Sequence, residues 1–296
     1  MKTDSKILAA DFEYLHCKTQ AEALDYLAEH GGNAKILAGG TDLLVRMKTG
    51  ALQCDRLISI QQIAALNYLR DSADSLKIGA VTTLREVEAN PQVKLHYSAL
   101  FEALRSMAAT SVRNMGTIGG NLCNGSPAAD TAPPLLVFAA AVTLTSKQSQ
   151  RSLPIAEFFL GPGKTALVAG ELMTEIELPM PATYSGSSFL KLGRVAADIA
   201  KINVAVYVER DGAICRECRI AFGAVAPTPL RLLAAEAMLR GKRVTAELIK
   251  EVGQSAAELI QPITDKRSTS SYRTKVSPIL LEEALIAAWR RSGGEV

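Results

Sequence analysis

Two glycine pairs, each following an apolar segment, constrain this chain more than any other feature. The first lies in Ile36-Leu37-Ala38-Gly39-Gly40-Thr41-Asp42-Leu43-Leu44, where an apolar run of strand length meets a Gly-Gly-Thr-Asp turn and then an apolar-periodic segment. The second lies between Thr110 and Asp130, in Thr117-Ile118-Gly119-Gly120-Asn121. Glycine reaches positive φ easily and has no Cβ to keep a bound group from the backbone. A diphosphate spreads negative charge and needs several close N–H donors, so such turns suit it. Two of them predict two loops gripping one ligand. A helix starting after Asp42 would add a favourable dipole of ~0.3–1 kcal/mol at the first loop. Neither the Gly-Lys-Ser/Thr of a P-loop nor Gly-x-Gly-x-x-Gly is present, and either pair alone reads equally as a tight turn.

With 296 residues the chain exceeds a typical single domain. Its net charge of +3 and 21% charged residues give no footprint for nucleic acid or an anionic membrane. No apolar run approaches the ~18 residues of a membrane span. The start, Met1 to Lys6, lacks a signal-peptide core, so a cytoplasmic protein is expected. Five scattered cysteines predict free thiols. Cys215 and Cys218 have redox spacing but sit in an alternating segment, where residues three apart face opposite sides of a strand. His16, His30 and His96 show no metal spacing, so no metal site is expected.

The opening third predicts a β-α-β unit. It has a strand near Phe12 to Tyr14, a helix from Thr19 with Glu22 completing a capping box and Gly31-Gly32-Asn33 ending it, and strands at Lys35–Ala38 and Leu57–Ile60. A strand follows at Ser75–Ala80, then a helix capped by Thr83. A longer helix, Ala99–Ala109, is expected to lead into the second glycine turn. Pro, Gly and Ser cluster from Pro181 to Ser188 and mark a boundary. Beyond it come three strand-like runs, near Ser188–Leu192, Val204–Glu209 and Cys218–Phe222, and helices at Pro229–Arg240, Thr245–Leu259 and Ser277–Trp289.

Ala38-Gly39-Gly40-Thr41-Asp42-Leu43 and Val112-Arg113-Asn114-x-Gly116-Thr117-Ile118-Gly119-Gly120-Asn121 together resemble the FAD-binding medium subunit of the molybdenum hydroxylases, the xanthine dehydrogenase and carbon monoxide dehydrogenase family. Phe189-Leu190-Lys191-Leu192-Gly193-Arg194-x-x-x-Asp198-Ile199-Ala200 resembles the start of that family's C-terminal domain, and Tyr272-Arg273 its final helix. The resemblance implies an α+β chain. A two-lobed FAD-binding domain of the PCMH type would span 1–180, with a small β-α-β lobe over about 1–60 and a larger α/β lobe over 61–180. A C-terminal α+β domain with a three-stranded sheet and helices would span 181–296.

The resemblance also implies site roles. Leu37 to Leu43 (Leu37, Ala38, Gly39, Gly40, Thr41, Asp42, Leu43) and Thr117, Ile118, Gly119, Gly120 and Asn121 would hold the diphosphate and ribityl of FAD, with Ser126 assisting. Asp130 would accept from ribose or ribityl hydroxyls, although by position it also reads as a helix cap before Thr131. Leu172 and Met173 would pack near the isoalloxazine, where sequence alone reads strand core. Lys191 would lie by the flavin, favouring its anionic reduced form. Asp198 and Ile199 fall on the loop that approaches the flavin; a surface turn is the plainer reading.

Function is likewise implied by the resemblance: an FAD subunit that takes electrons from [2Fe-2S] clusters on a small partner, while substrate is hydroxylated at molybdopterin on a large one. A dimer of heterotrimers is expected, with NAD⁺ or another acceptor. With only Cys123 between Asn121 and Asp130, no cluster is expected on this chain, and no residue here is expected to catalyse hydroxylation. Asn121-Leu122-Cys123-Asn124-Gly125 resembles bacterial xanthine dehydrogenase subunits and favours a purine substrate. The alternatives are a self-contained FAD-dependent reductase with the same two-loop fold and a non-catalytic nucleotide-binding module.

Overall fold

The computed structural model describes residues 11–32 and 34–296; Met1 to Lys6 and Asn33 lie outside them. The first unit contains β1 (Glu13–His16), α1 (Gln20–His30), β2 (Ala34–Leu37), α2 (Leu43–Lys48) and β3 (Arg56–Ser59). Its strands form a parallel sheet in the order β1-β3-β2. The Thr19 hydroxyl accepts the Glu22 N–H at 3.2 Å and the Glu22 carboxylate accepts the Thr19 N–H at 3.3 Å, so the capping box starts α1 where the sequence places it. Ala23, Leu24 and Leu27 then bury one face of α1 in a small core with Ile58, Ile60 and Ile63.

The second unit is larger. It runs through β4 (Leu69–Asp71), β5 (Ser75–Gly79), α3 (Leu84–Ala89), α4 (Pro91–His96), α5 (Ser98–Ser106), α6 (Thr110–Arg113), α7 (Ile118–Cys123), α8 (Ala132–Val137), β6 (Ala141–Thr145), β7 (Gln150–Pro154), β8 (Phe159–Gly161), β9 (Lys164–Thr165) and β10 (Leu172–Pro179). Five strands make an antiparallel sheet, β4-β5-β10-β6-β7, and β8 with β9 forms a hairpin at Gly161-Pro162-Gly163. Thr83 repeats the capping box with Glu86. Two expectations change here. The helix beginning at Ser98 stops at Ser106, because Ala108 takes a φ of 48° and the short α6 intervenes. The second glycine pair lies within α7, capped by the Thr117 hydroxyl, and is not a loop.

The last unit holds β11 (Ser185–Leu192), β12 (Ile202–Asp211), β13 (Ile214–Gly223), β14 (Leu230–Arg231), α9 (Leu233–Leu239), α10 (Ala246–Leu259) and α11 (Ser270–Arg291). The expected three-stranded sheet has a fourth member, since Leu230–Arg231 pairs with Ala221 and Phe222 instead of opening a helix at Pro229. Two residues are too few to leave a periodic signal. The sheet is buried on both faces. Ile202, Val204, Val206 and Val208 meet the core that α10 and α11 cover, while Ala205 and Tyr207 join the core of the second unit. Tyr97, Phe138 and Tyr207 stack edge-on in sequence across that junction, with centroids 5.1 and 5.8 Å apart. The alternation expected around Cys215 also fails. A bulge opposite Glu209 and Arg210 inserts Arg216, so Cys215 and Cys218 turn to the same side and share one core. Among the described residues no helix is long and apolar enough to cross a membrane.

Gly186 fixes how closely β11 lies on α11, since a Cβ there would sit 2.1 Å from the Ala288 carbonyl and 2.5 Å from the Ser292 nitrogen. Gly186→Ala is expected to destabilise the chain by about 1–3 kcal/mol through overpacking. A lowered urea midpoint with an unchanged slope checks this.

Candidate functional site

The first turn leaves β2 at Leu37 and enters α2 at Leu43. Gly40 has a φ of 71°, a conformation that disfavours any residue with a Cβ. The backbone N–H groups from Ala38 to Asp42 have no partner within the described residues. Five consecutive donors at a helix start suit a bound anion. Asp42 precedes α2 without a side-chain capping bond, so these donors are not quenched from within.

The second glycine pair, in the first turn of α7, behaves differently. Its Ile118 and Gly119 N–H groups donate to the carbonyls of Thr82 and Ala80, both at 3.0 Å. Gly120 N–H donates to the Thr117 hydroxyl at 3.1 Å, and Asn121 N–H to the Thr117 carbonyl. These glycines serve close packing, not donation: a Cβ on Gly119 would lie 2.6 Å from the Ala80 carbonyl oxygen, and one on Gly120 2.8 Å from the Thr117 hydroxyl. What remains to offer is the Thr117 N–H, which has no partner among the described residues, and the Asn121 amide. Thr131 donates its hydroxyl to Asn121 Oδ1 at 2.6 Å, leaving the amide NH₂ as the end without a partner.

The fold brings the first turn into direct contact with Met115 and Gly116, the residues that lead into α7. A Cβ on Gly39 would lie 2.1 Å from the Met115 carbonyl oxygen and 2.7 Å from Gly116 Cα, and one on Gly116 would lie 3.4 Å from Thr41 Oγ1. Arg113 secures the approach from behind. It is buried, pairs with Glu88 at 2.9 Å, and donates to the carbonyls of Met107 and Ala108 at 2.8 and 2.7 Å.

Asp130 and Lys191, far apart in sequence, form a buried ion pair at 2.6 Å. Lys191 also donates to the Ser106 carbonyl at 3.2 Å, and Asn203 Nδ2 donates to the other Asp130 oxygen at 2.7 Å. Burial pushes the Asp130 carboxyl above its ordinary range, against the pull of Lys191 and Asn203. Asp130 is therefore not the cap of α8: Thr131 occupies that position and no side-chain capping bond is made. The Thr131–Asn121 bond ties this pair to the second turn. Ser126 accepts the Ala128 N–H in the intervening turn.

Other sequence-derived residues stand apart. Leu172 and Met173 are both buried but on opposite faces of β10, Leu172 in the small core of the first unit and Met173 in the large core of the second. Asp198 accepts Arg194 Nε and Nη2 at 2.7 and 3.0 Å, and these bonds hold its carboxyl well below the usual range. Ile199 beside it is half exposed. Asn203 escaped sequence reasoning; its only signal is one amide within the apolar run Ile202 to Val208.

Free donors, a close approach that only glycine allows, and a buried carboxylate–ammonium pair fit an anionic, hydroxyl-bearing cofactor such as FAD. Lys191→Met is expected to cost about 3–5 kcal/mol by stranding the Asp130 carboxylate, and adding Asp130→Asn should recover most of it. Urea unfolding of the two single variants and the double variant checks the coupling.

Comparison with known proteins finds two matching families. Residues 10–181 match the family described as FAD binding domain in molybdopterin dehydrogenase, and residues 187–288 match the CO dehydrogenase flavoprotein C-terminal domain. The chain is 35% identical to the carbon monoxide dehydrogenase medium chain of Hydrogenophaga pseudoflava, covering 95% of this chain and 98% of that one. It is 31% identical to the xanthine dehydrogenase FAD-binding subunit of Escherichia coli O157:H7, covering 97% and 99%. The solved carbon monoxide dehydrogenase of H. pseudoflava superposes with a TM-score of 0.93 at 35% identity, over 96% of this chain and 99% of that one. With its FAD-binding domain matched over more than half its length, the chain belongs to the family of FAD subunits of the molybdenum-containing dehydrogenases.

Proposed function

We propose that this chain is the FAD-carrying electron-transfer subunit of a cytoplasmic molybdopterin-dependent hydroxylase, assembled with a [2Fe-2S] small subunit and a molybdopterin large subunit as a dimer of heterotrimers. The observation that carries the reading is the contact of the first glycine turn with the residues that lead into α7, with unpaired donors on that turn and the Asp130–Lys191 pair joined to α7. When bound, FAD supplies a relay that accepts electrons singly from iron–sulfur clusters and releases them as a hydride to NAD⁺ or another acceptor.

The chain's own residues bind and orient. The Ala38–Asp42 donors hold the diphosphate, Gly39, Gly40 and Gly116 keep the backbone close to it, and the Asn121 amide adds a donor from the other side. Asp130 accepts from ribityl or ribose hydroxyls, and Lys191 places positive charge beside the ring system. Leu172, Met173, Ser126 and Asp198 complete the set inferred from the family likeness, Asp198 through its loop. Hydroxylation needs no acid, base or nucleophile from this chain. The division into an FAD-binding part over 1–180, with lobes meeting near residue 60, and a C-terminal part over 181–296 is supported by the two family matches. The E. coli relative named for xanthine, with the Asn121 to Gly125 run, favours a purine-type substrate.

The test is anaerobic electron transfer in the co-expressed three-subunit complex. Substrate is expected to bleach the flavin absorbance, and added NAD⁺ to restore it with formation of NADH. The isolated chain is expected to show no substrate-driven bleaching. If the isolated chain instead reduced a substrate with NADPH or NADH, the self-contained reductase would replace this reading.

A further inference from the structure

Asn203 lies on the β12 face that packs against the second unit, where its alternation partners are Ala205 and Tyr207. It is fully buried. Its neighbours in register are Lys191 on β11 and Gly223 on β13, so one row across three strands reads Lys-Asn-Gly. The row points at Asp130. Lys191 Nζ takes one carboxylate oxygen at 2.6 Å and Asn203 Nδ2 takes the other at 2.7 Å. The amide has a single workable orientation, because flipping it would set its oxygen against a carboxylate oxygen. Its Oδ1 is consequently left without a partner. It is directed toward Gly223, where a Cβ would lie 2.2 Å from it. Gly223 is thus the space that lets Asn203 adopt its working orientation, and a buried acceptor is left unpaired so that the carboxylate is doubly held.

We propose that Asn203 is a positioning residue of the cofactor site, fixing the Asp130 carboxylate so that it and the Lys191 ammonium meet FAD as one rigid pair. This rests on the reading of Asp130 and Lys191 as FAD-contacting residues. Asn203 acts through Asp130 and does not itself touch the cofactor. Among the described residues Lys191 is the charged side chain in contact with Asp130; α5 contributes only the Ser106 carbonyl, to Lys191. A donor to the charged carboxylate favours ionisation, so removing Asn203 moves protonation of Asp130 to higher pH.

The experiment is FAD titration of the cofactor-free full chain across pH, for the wild type, Asn203→Leu, Gly223→Ala, and Asn203→Ala alone and with Gly223→Ala. Asn203→Leu is expected to weaken FAD binding about tenfold near neutral pH and to move the acid limb of the affinity profile up by about one pH unit. Gly223→Ala should shift both in the same direction, and should have a smaller effect in the Asn203→Ala background, where only the Pro127 carbonyl, 3.2 Å from the added Cβ, remains in its way. If Asn203→Leu fails to fold, the Gly223→Ala comparison carries the test. Wild-type affinity and profile in the variants, or weakening that is equal at every pH, would overturn the proposal while leaving the FAD reading intact. A wild-type chain that takes up no FAD at any pH would overturn the FAD reading, and this inference with it.

Discussion

The site depends on one close contact. Gly39 faces the Met115 carbonyl and the Gly116 backbone at a distance where one methyl group would drive them apart. Nearly every other feature around the site supports that approach. The parallel sheet carries Gly39 at the end of β2, the Glu88–Arg113 pair anchors the chain leading to Gly116, and α7 is seated on the end of β5 by the bonds from Ile118 and Gly119. Buried ionic groups tolerate little displacement once dry, so the Arg113 network is a firm backing for a backbone contact.

The two turns look alike in sequence and do different work. In the first, the N–H groups stay open and a helix begins immediately after them; in the second, those of Ile118 to Asn121 are consumed by Ala80, Thr82 and Thr117. Glycine answers two separate needs, access for a ligand and proximity for the protein itself. The asymmetry puts the anion-binding capacity on the first turn. The second supplies shape, the Asn121 amide and, through Thr131, the link to Asp130.

Much of the fold was legible because its signals are local. The capping boxes at Thr19 and Thr83, the short strands of the first unit and the apolar run of β12 are each written in a few adjacent residues. What escaped depends on distant partners. Two adjacent glycines disfavour a helix, yet α7 forms because its Thr117 cap and its bonds to the end of β5 outweigh propensity. The bulge at Arg216 reverses the side that Cys215 faces, which no alternation pattern reveals. Asp130 and Lys191 were each singled out by family likeness, but their pairing, and the amide of Asn203 that completes it, appear only when three strands and a preceding helix are assembled. Leu172 and Met173 show the converse: neighbours in sequence, they are parted by the pleat of β10.

The most direct measurement is FAD uptake by the full chain with and without the glycine contact. The purified wild-type chain should show a flavin spectrum on incubation with FAD, and the flavin released from it should be FAD. Gly39→Ala should keep its helical circular dichroism yet bind FAD at least about tenfold more weakly, since the first turn can no longer close on Met115 and Gly116. A folded Gly39→Ala chain that holds FAD as tightly as the wild type would contradict the central role of that contact. A wild type that takes up no flavin would contradict the account of the site altogether.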